Sequence, residues 1–179
     1  MTAADDVSFR FATASDVATV VELVESAYRG ESSRKGWTTE ADLLDGQRTD
    51  AESVADLLRD PRSRILLGSD RSGVVACAHL RDLGDGRVYF GMFAVSPTAQ
   101  AKGIGSRVLS EAEQVAAGLW GARELEMTVI MQRTELIEWY ERRGYRRTGE
   151  TRPFPYGDRR FGIPRRPDLA FAVLRKELR

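Results

Sequence analysis

The chain has 179 residues, enough for one domain with a substantial core and a cleft and short for two. Its 27 basic and 27 acidic residues cancel, so net charge gives no reason to expect nucleic acid or an anionic membrane as partner. A single cysteine, Cys77, sits in the apolar run Val74-Val75-Ala76-Cys77-Ala78, which rules out an internal disulfide and fits a reducing compartment. The first residues carry Asp5 and Asp6 where a basic leader would stand, and no apolar run approaches the roughly 20 residues needed to span a bilayer. The expectation is one soluble, cytoplasmic domain over residues 1–179, with no nucleic-acid or membrane partner.

Alternation in Val7-Ser8-Phe9-Arg10-Phe11 predicts a first strand. Capping residues from Thr13 to Asp16 then open a helix to about Tyr28, with Val17, Val20, Val21 and Val24 on one face. A polar stretch from Arg29 to Asp50 follows, with a helical-looking piece at Thr39 to Asp45, and a short helix at Ser53 to Arg59 ends near Pro61. Arg64 to Gly68, Gly73 to Arg81 and Arg87 to Val95 read as an antiparallel meander turned at Ser69-Asp70-Arg71-Ser72 and Gly84-Asp85-Gly86. Helical spacing resumes from Ile104 to about Leu119. After it come a strand from Glu124 to Met131, a helix from Thr134 to Arg143 stopped by Gly144, a strand from Tyr145 to Gly149, and a last strand from Leu169 to Leu174. Between these last two strands lies an Arg- and Pro-rich loop, Thr151 to Pro167. The expected fold is α/β of the α+β type: a mixed, mostly antiparallel sheet of six to seven strands flanked by about four helices.

The crossover after Val95 carries the chemistry. Within ten residues of Ser96-Pro97 the chain passes through Gln100-x-x-Gly103-x-Gly105 into a helix. Glycines there let the backbone come close to a ligand and point successive amides into one concavity, and the helix N-terminus adds partial positive charge, which suits a pyrophosphate. The dinucleotide fingerprint and the P-loop are both absent, since one needs three glycines and the other ends in Gly-Lys-Ser/Thr.

Gln100-Ala101-Lys102-Gly103-Ile104-Gly105, following Phe93-Ala94-Val95-Ser96-Pro97, closely resembles the acetyl-coenzyme A motif of the GNAT superfamily of N-acetyltransferases. Ile137-Glu138-Trp139-Tyr140-Glu141-Arg142-Arg143-Gly144-Tyr145 resembles the second cofactor region of that superfamily. The resemblance implies acetyl-CoA as co-substrate and no metal. It implies that Phe93, Ala94 and Val95 border the pantetheine arm, with backbone hydrogen bonds from Phe93 and Val95. It further implies that Gln100 to Ser106 form the phosphate turn, with the amides of Lys102, Gly103, Gly105 and Ser106 on the pyrophosphate. Such an arm pairs like an added strand, and Pro97 is consistent with a ladder that ends there. Gln132 stands where relatives often place an asparagine that contacts the arm, so that contact is in question.

Acetyl transfer to an amine requires a neutral amine, a stabilised oxyanion and a proton for the departing thiolate. Tyr140 occupies the position of the superfamily's usual general acid. The strand from Tyr89 to Val95 carries no carboxylate for a base, which leaves Glu126, His79, Glu40, a water chain or an already neutral amine. The resemblance also implies that Tyr28 to Arg48 and Thr151 to Pro167 form the acceptor cleft, with Trp37, Glu40 and Arg48 as candidate contacts. Carboxylates beside arginines there suit a small amino-acid-like amine. Two other readings fit the same residues: an acyl-CoA-binding sensor without catalysis, and an acetyltransferase acting on protein N-termini or lysines. A homodimer is a common habit of the superfamily.

Overall fold

The structure, a computed structural model, describes residues 6–100 and 102–179. Its elements are β1 (Ser8–Phe11), α1 (Val17–Tyr28), α2 (Gly30–Ser33), β2 (Leu44–Asp45), α3 (Ala51–Arg59), β3 (Ser63–Asp70), β4 (Gly73–Gly84), β5 (Arg87–Val95), α4 (Ile104–Trp120), β6 (Glu124–Ile130), α5 (Thr134–Glu141), β7 (Arg146–Pro153), β8 (Ile163–Pro164) and β9 (Ala170–Glu177). Seven strands form one sheet in the order β1-β3-β4-β5-β6-β9-β7, and β2 pairs with β8 separately. In the large sheet only β5 and β6 run parallel, because α4 carries the chain across between them. The expected mixed, mostly antiparallel sheet is therefore present, with five helices where about four were expected; α2 is the addition.

The helices cover both faces of the sheet. Val20, Leu23, Val24 and Ala27 of α1 and Val54 of α3 pack on Ile65, Leu67, Cys77 and Ala94. On the other face Val108, Leu109, Ala112 and Ala116 of α4 and Leu136, Ile137 and Tyr140 of α5 pack on Leu80, Val88, Phe90 and Leu125. Each fully buried aliphatic side chain contributes about 1.5–3 kcal/mol, so the i, i+3, i+4 apolar spacing decides which face of each helix turns inward.

Two segments depart from expectation. Thr39 to Asp45 is no helix: one turn forms, with Leu43 and Leu44 amides donating to the Glu40 carbonyl, and the chain then enters β2. The pairing of Leu44 with Pro164 and the burial of its side chain override the local helical preference. The supposed loop from Thr151 to Pro167 begins as the end of β7 and later supplies β8.

The sheet opens at its centre. β5 and β6 are paired only from Arg87–Tyr89 to Glu124–Glu126, after which β6 stays with β9 and β5 stays with β4. A bulge drives β5 away: Cys77 pairs with Ala94 and His79 with Gly91, so Met92 and Phe93 together face Ala78. Met92 takes a φ of 46°, a conformation that a residue with a Cβ adopts only when its surroundings require it.

Candidate functional site

Two cavities open on either side of this parting. The first, about 270 Å³, is lined by Phe93, Ala94 and Val95 of β5, Gln100, Gly103, Gly105 and Ser106 of the turn into α4, and Leu136, Trp139 and Arg143 near α5. Ala27, Tyr28, Trp37 and Thr38 close it from the N-terminal side. Gly103 caps α4 at φ +80°, where any Cβ is strained, and presents the N-terminal end of a 17-residue helix to the cavity. A Cβ on Gly105 would stand 3.4 Å from Phe93 and 3.5 Å from Trp139, so the missing side chain keeps the cavity floor low. A glycine-floored cavity at a helix N-terminus fits a phosphorylated cofactor.

Of the motif residues expected on the cofactor, Phe93, Ala94, Val95, Gln100, Gly103, Gly105 and Ser106 come together here. Ala101 lies outside the described residues. Lys102 is exposed and lines neither cavity, and Ile104 is buried in the core beneath α4. Gln100 is held at both ends of its amide: Oε1 accepts from the Trp37 backbone at 3.0 Å and Nε2 donates to the Val95 carbonyl at 2.9 Å. The Phe93 carbonyl accepts the Tyr28 hydroxyl at 2.5 Å. Both carbonyls thus already have a side-chain donor, which leaves their second lone pairs and the amides of the strand for an added ligand.

Gln132 is not part of this wall. Its Nε2 donates to the Asp168 carbonyl at 2.7 Å, and it lines neither cavity. The next residue, Arg133, lines both; it is the N-cap of α5, with backbone angles of φ −89° and ψ 64° that are not helical. Its Nη1 donates to Glu40 Oε1 at 3.1 Å and its Nη2 to Thr38 at 2.8 Å. Arg133 precedes α5 with a non-helical backbone, so helical periodicity counted back from Tyr140 does not place it. Trp139 and Arg143 were missed as well. The Arg143 guanidinium lies 3.7 Å above the Trp139 ring and donates to Ser106 at 3.0 and 2.8 Å, which ties α5 to the start of α4.

The second cavity, about 250 Å³, lies between Tyr89–Phe93 of β5 and Met127–Ile130 of β6, roofed by Phe154, Pro155 and Phe161 and walled by Arg29, Glu40 and Arg48. It meets the first at Tyr28, Phe93, Arg133 and Leu136. Glu40 and Arg48 therefore face this side, while Trp37, expected among the acceptor contacts, lines the first cavity and stands 6.4 Å from the ring of Trp139. Gly91 is needed for shape: a Cβ there would fall 2.4 Å from the Tyr89 hydroxyl.

Tyr140 lines the second cavity and is only 4% exposed, yet its hydroxyl has no hydrogen-bond partner among the described residues. Burial raises its pKa well above the ordinary phenol value, so it stays protonated. Burial likewise pushes Tyr28 up to about 12.

The candidate bases fare differently. His79 lines neither cavity, bonds Ser63 through Nε2 at 2.9 Å, and is pushed down to about 4 by burial and then by Arg81. Glu126 also lines neither cavity, and accepts from Arg87, Arg152 and Arg175 at 3.1, 2.8 and 2.7 Å. Burial acts to raise its pKa, but the hydrogen bonds of Arg175 and Arg152 outweigh that and lower it. Glu40 reaches the second cavity but accepts from Arg29 at 2.5 Å and from Arg133. Burial opposes its ionisation, and the charges of Arg133, Arg29 and Arg48 overcome it, so its pKa too is lowered. A carboxylate held ionised by two guanidiniums is a weak proton acceptor.

Residues 20–145 match the family model described as "Acetyltransferase (GNAT) family". No curated protein matches the chain. Among solved structures, a candidate phosphinothricin N-acetyltransferase superposes with a TM-score of 0.70 at 18% identity, over 97% of this chain and 99% of that one. The protein yncA from Salmonella typhimurium, solved with its cofactor acetyl-CoA, superposes at 0.69 and 18% identity, over 97% and 95%. The spermidine/spermine N-acetyltransferase SpeG from Vibrio cholerae gives 0.67 at 11% identity, over 98% and 94%. At such identities these three show a shared fold.

Proposed function

The chain belongs to the acetyltransferase (GNAT) family and is an acetyl-CoA-dependent N-acetyltransferase, and from that premise we propose that it acetylates the primary amine of a small, amino-acid-like molecule by direct attack in a ternary complex. The observation that carries this reading is the meeting of the two cavities at Tyr28, Phe93, Arg133 and Leu136, with Tyr140, whose hydroxyl has no partner among the described residues, in the lining of the second. Acetyl-CoA supplies an activated acetyl thioester when bound. In this proposal the amides of Gly103, Gly105 and Ser106 hold its pyrophosphate, and β5 from Phe93 to Val95 aligns its arm. Tyr140 donates its proton to the departing sulfur, a role that requires a phenol still protonated at neutral pH.

No side chain facing the acceptor cavity serves well as a base. Glu40 is held ionised by arginines, and His79 and Glu126 stand elsewhere. The amine is therefore taken as entering neutral or losing its proton to water, and holding both substrates together supplies much of the acceleration. The volume of the second cavity, about 250 Å³, sits just below the usual range for drug-sized ligands and supports a small acceptor. The test follows free thiol release from acetyl-CoA with a panel of amino acids, polyamines and N-terminal peptides. Release dependent on a small amine supports the reading; tight acetyl-CoA binding with no amine-dependent release overturns it in favour of a sensor.

A further inference from the structure

Within the acceptor cavity, charge is one-sided. Its ionised lining residues are Arg29, Arg48 and Arg133 against Glu40 alone; three positive charges less one negative leave a surplus of two. The single carboxylate is consumed, since each of its oxygens accepts from a different arginine. That accounts for Arg29 and Arg133. Arg48 is left over: its guanidinium forms no ion pair and no hydrogen bond among the described residues. It is not a loose surface side chain. Its backbone amide and that of Thr49 both donate to Glu25 Oε1 of α1, at 2.6 and 2.8 Å, which fastens the segment. Its guanidinium sits 5.1 Å from the centre of the Tyr28 ring, and that ring is pinned in turn by its hydroxyl bond to the Phe93 carbonyl. A guanidinium stacked on a fixed aromatic face keeps its in-plane donors free.

Leu44, Met92, Ile130, Phe154, Phe161 and Phe171 give the remaining wall its apolar side chains, with Tyr89, Thr128 and Tyr140 among them. Apolar and aromatic side chains beside one preplaced guanidinium, unpaired among the described residues, match a molecule with an apolar body and one carboxylate. A polycation meets the opposite conditions, with like charge on the walls and no free carboxylate to receive a second ammonium group.

Accordingly we infer that the acceptor is an apolar amino acid or a close analogue, its carboxylate held by Arg48 and its side chain by the aromatic walls, with its amine directed to the junction at Phe93. This rests on the small-amine reading above and narrows it. It sets the chain apart from polyamine acetyltransferases of the same fold, such as the Vibrio cholerae spermidine/spermine enzyme.

The test separates binding from turnover. Calorimetry on the full chain, saturated with a non-reactive coenzyme A thioether, compares L-phenylalanine, L-phenylalaninamide and spermidine. The expected result is that phenylalanine binds at least tenfold more tightly than its amide and that spermidine binds more weakly than either. In Arg48→Met the advantage of phenylalanine over the amide shrinks to within about threefold, and Arg48→Lys restores part of it. Unchanged coenzyme A affinity shows that the variants are folded. Equal binding of acid and amide, tighter binding of spermidine, or a preference that survives in Arg48→Met overturns the inference. Thiol release with the same three amines judges the transfer reading separately: phenylalanine bound through Arg48 but never acetylated leaves the recognition standing and removes the catalysis.

Discussion

The first cavity draws nearly half of its lining residues, two glycines among them, from one short run between Phe93 and Ser106. The second gathers its lining from α1, the segment before α3, β5, β6, α5, the roof after β7 and β9, from Tyr28 to Phe171. The difference shows how each site is specified. A cavity built by backbone shape follows from a few residues at fixed spacing. One built by side chains follows from tertiary contacts, and its recognition chemistry can change while the backbone stays as it is.

The contrast can be broken most forcefully at Glu40. Glu40→Ala leaves the buried Arg29 and Arg133 without their carboxylate, and a loss of about 3–5 kcal/mol in unfolding free energy is expected from urea midpoints. The acceptor KM should rise more than the acetyl-CoA Kd. Comparable damage to both would show that the two cavities are not built independently.

Acid probes the same side from behind. His79 pairs with Gly91 across β4 and β5, and its ring meets Tyr89 edge-on at 6.0 Å. Its pKa is about 4 in the fold against 6.5 unfolded, so between these values the unfolded chain binds the proton and the folded chain does not. Stability from this group is complete above about pH 6.5 and falls by about 3 kcal/mol as pH drops to about 4. His79→Gln, which does not titrate, should flatten that part of the stability-against-pH curve; an unchanged slope would assign the acid sensitivity elsewhere.

At the junction, Tyr140→Phe removes only a hydroxyl. A fall of about 10²-fold in kcat is expected with little change in either KM, read in steady-state assays with a good acceptor. An unchanged kcat would exclude Tyr140 as the acid. The smallest effect belongs to the backbone-built cavity: Gly103→Val forces a branched residue to a φ of +80°, at about 1–2 kcal/mol, and acetyl-CoA binding should weaken roughly tenfold while amino-acid binding is kept.

The first cavity was the legible one. Glycines at 103 and 105, a strand before them and a helix after them are local features, and the structure brings most of that run to one wall. The acceptor side was read less well because its facts are not local. Trp37 was placed by neighbourhood on the acceptor side, but the close passage of the chain over Gln100, where a Cβ on Gly36 would fall within 2.2 Å of the amide, turns it to the first cavity. The helix expected from Thr39 to Asp45 gave way to a two-residue pairing with a strand 119 positions later, from Leu44–Asp45 to Ile163–Pro164. Gln132 and Arg133 are adjacent residues ahead of α5, and their distant partners, Asp168 for the one and Glu40 and Thr38 for the other, set which of them faces inward. That the Arg48 guanidinium has no partner among the described residues becomes visible only once Arg29 and Arg133 have been matched to theirs.

One short segment belongs to both cavities. Trp37 and Thr38 line the first and Glu40 lines the second, with Arg133 bonded to Thr38 and Glu40 at once. Across a partition this thin the two chambers answer to one rule of linkage: whatever filling one does to the affinity of the other, filling the other does in return by the same free energy. Affinity measured for either substrate alone is therefore half of a description, and the informative quantity is how much each tightens or loosens the other.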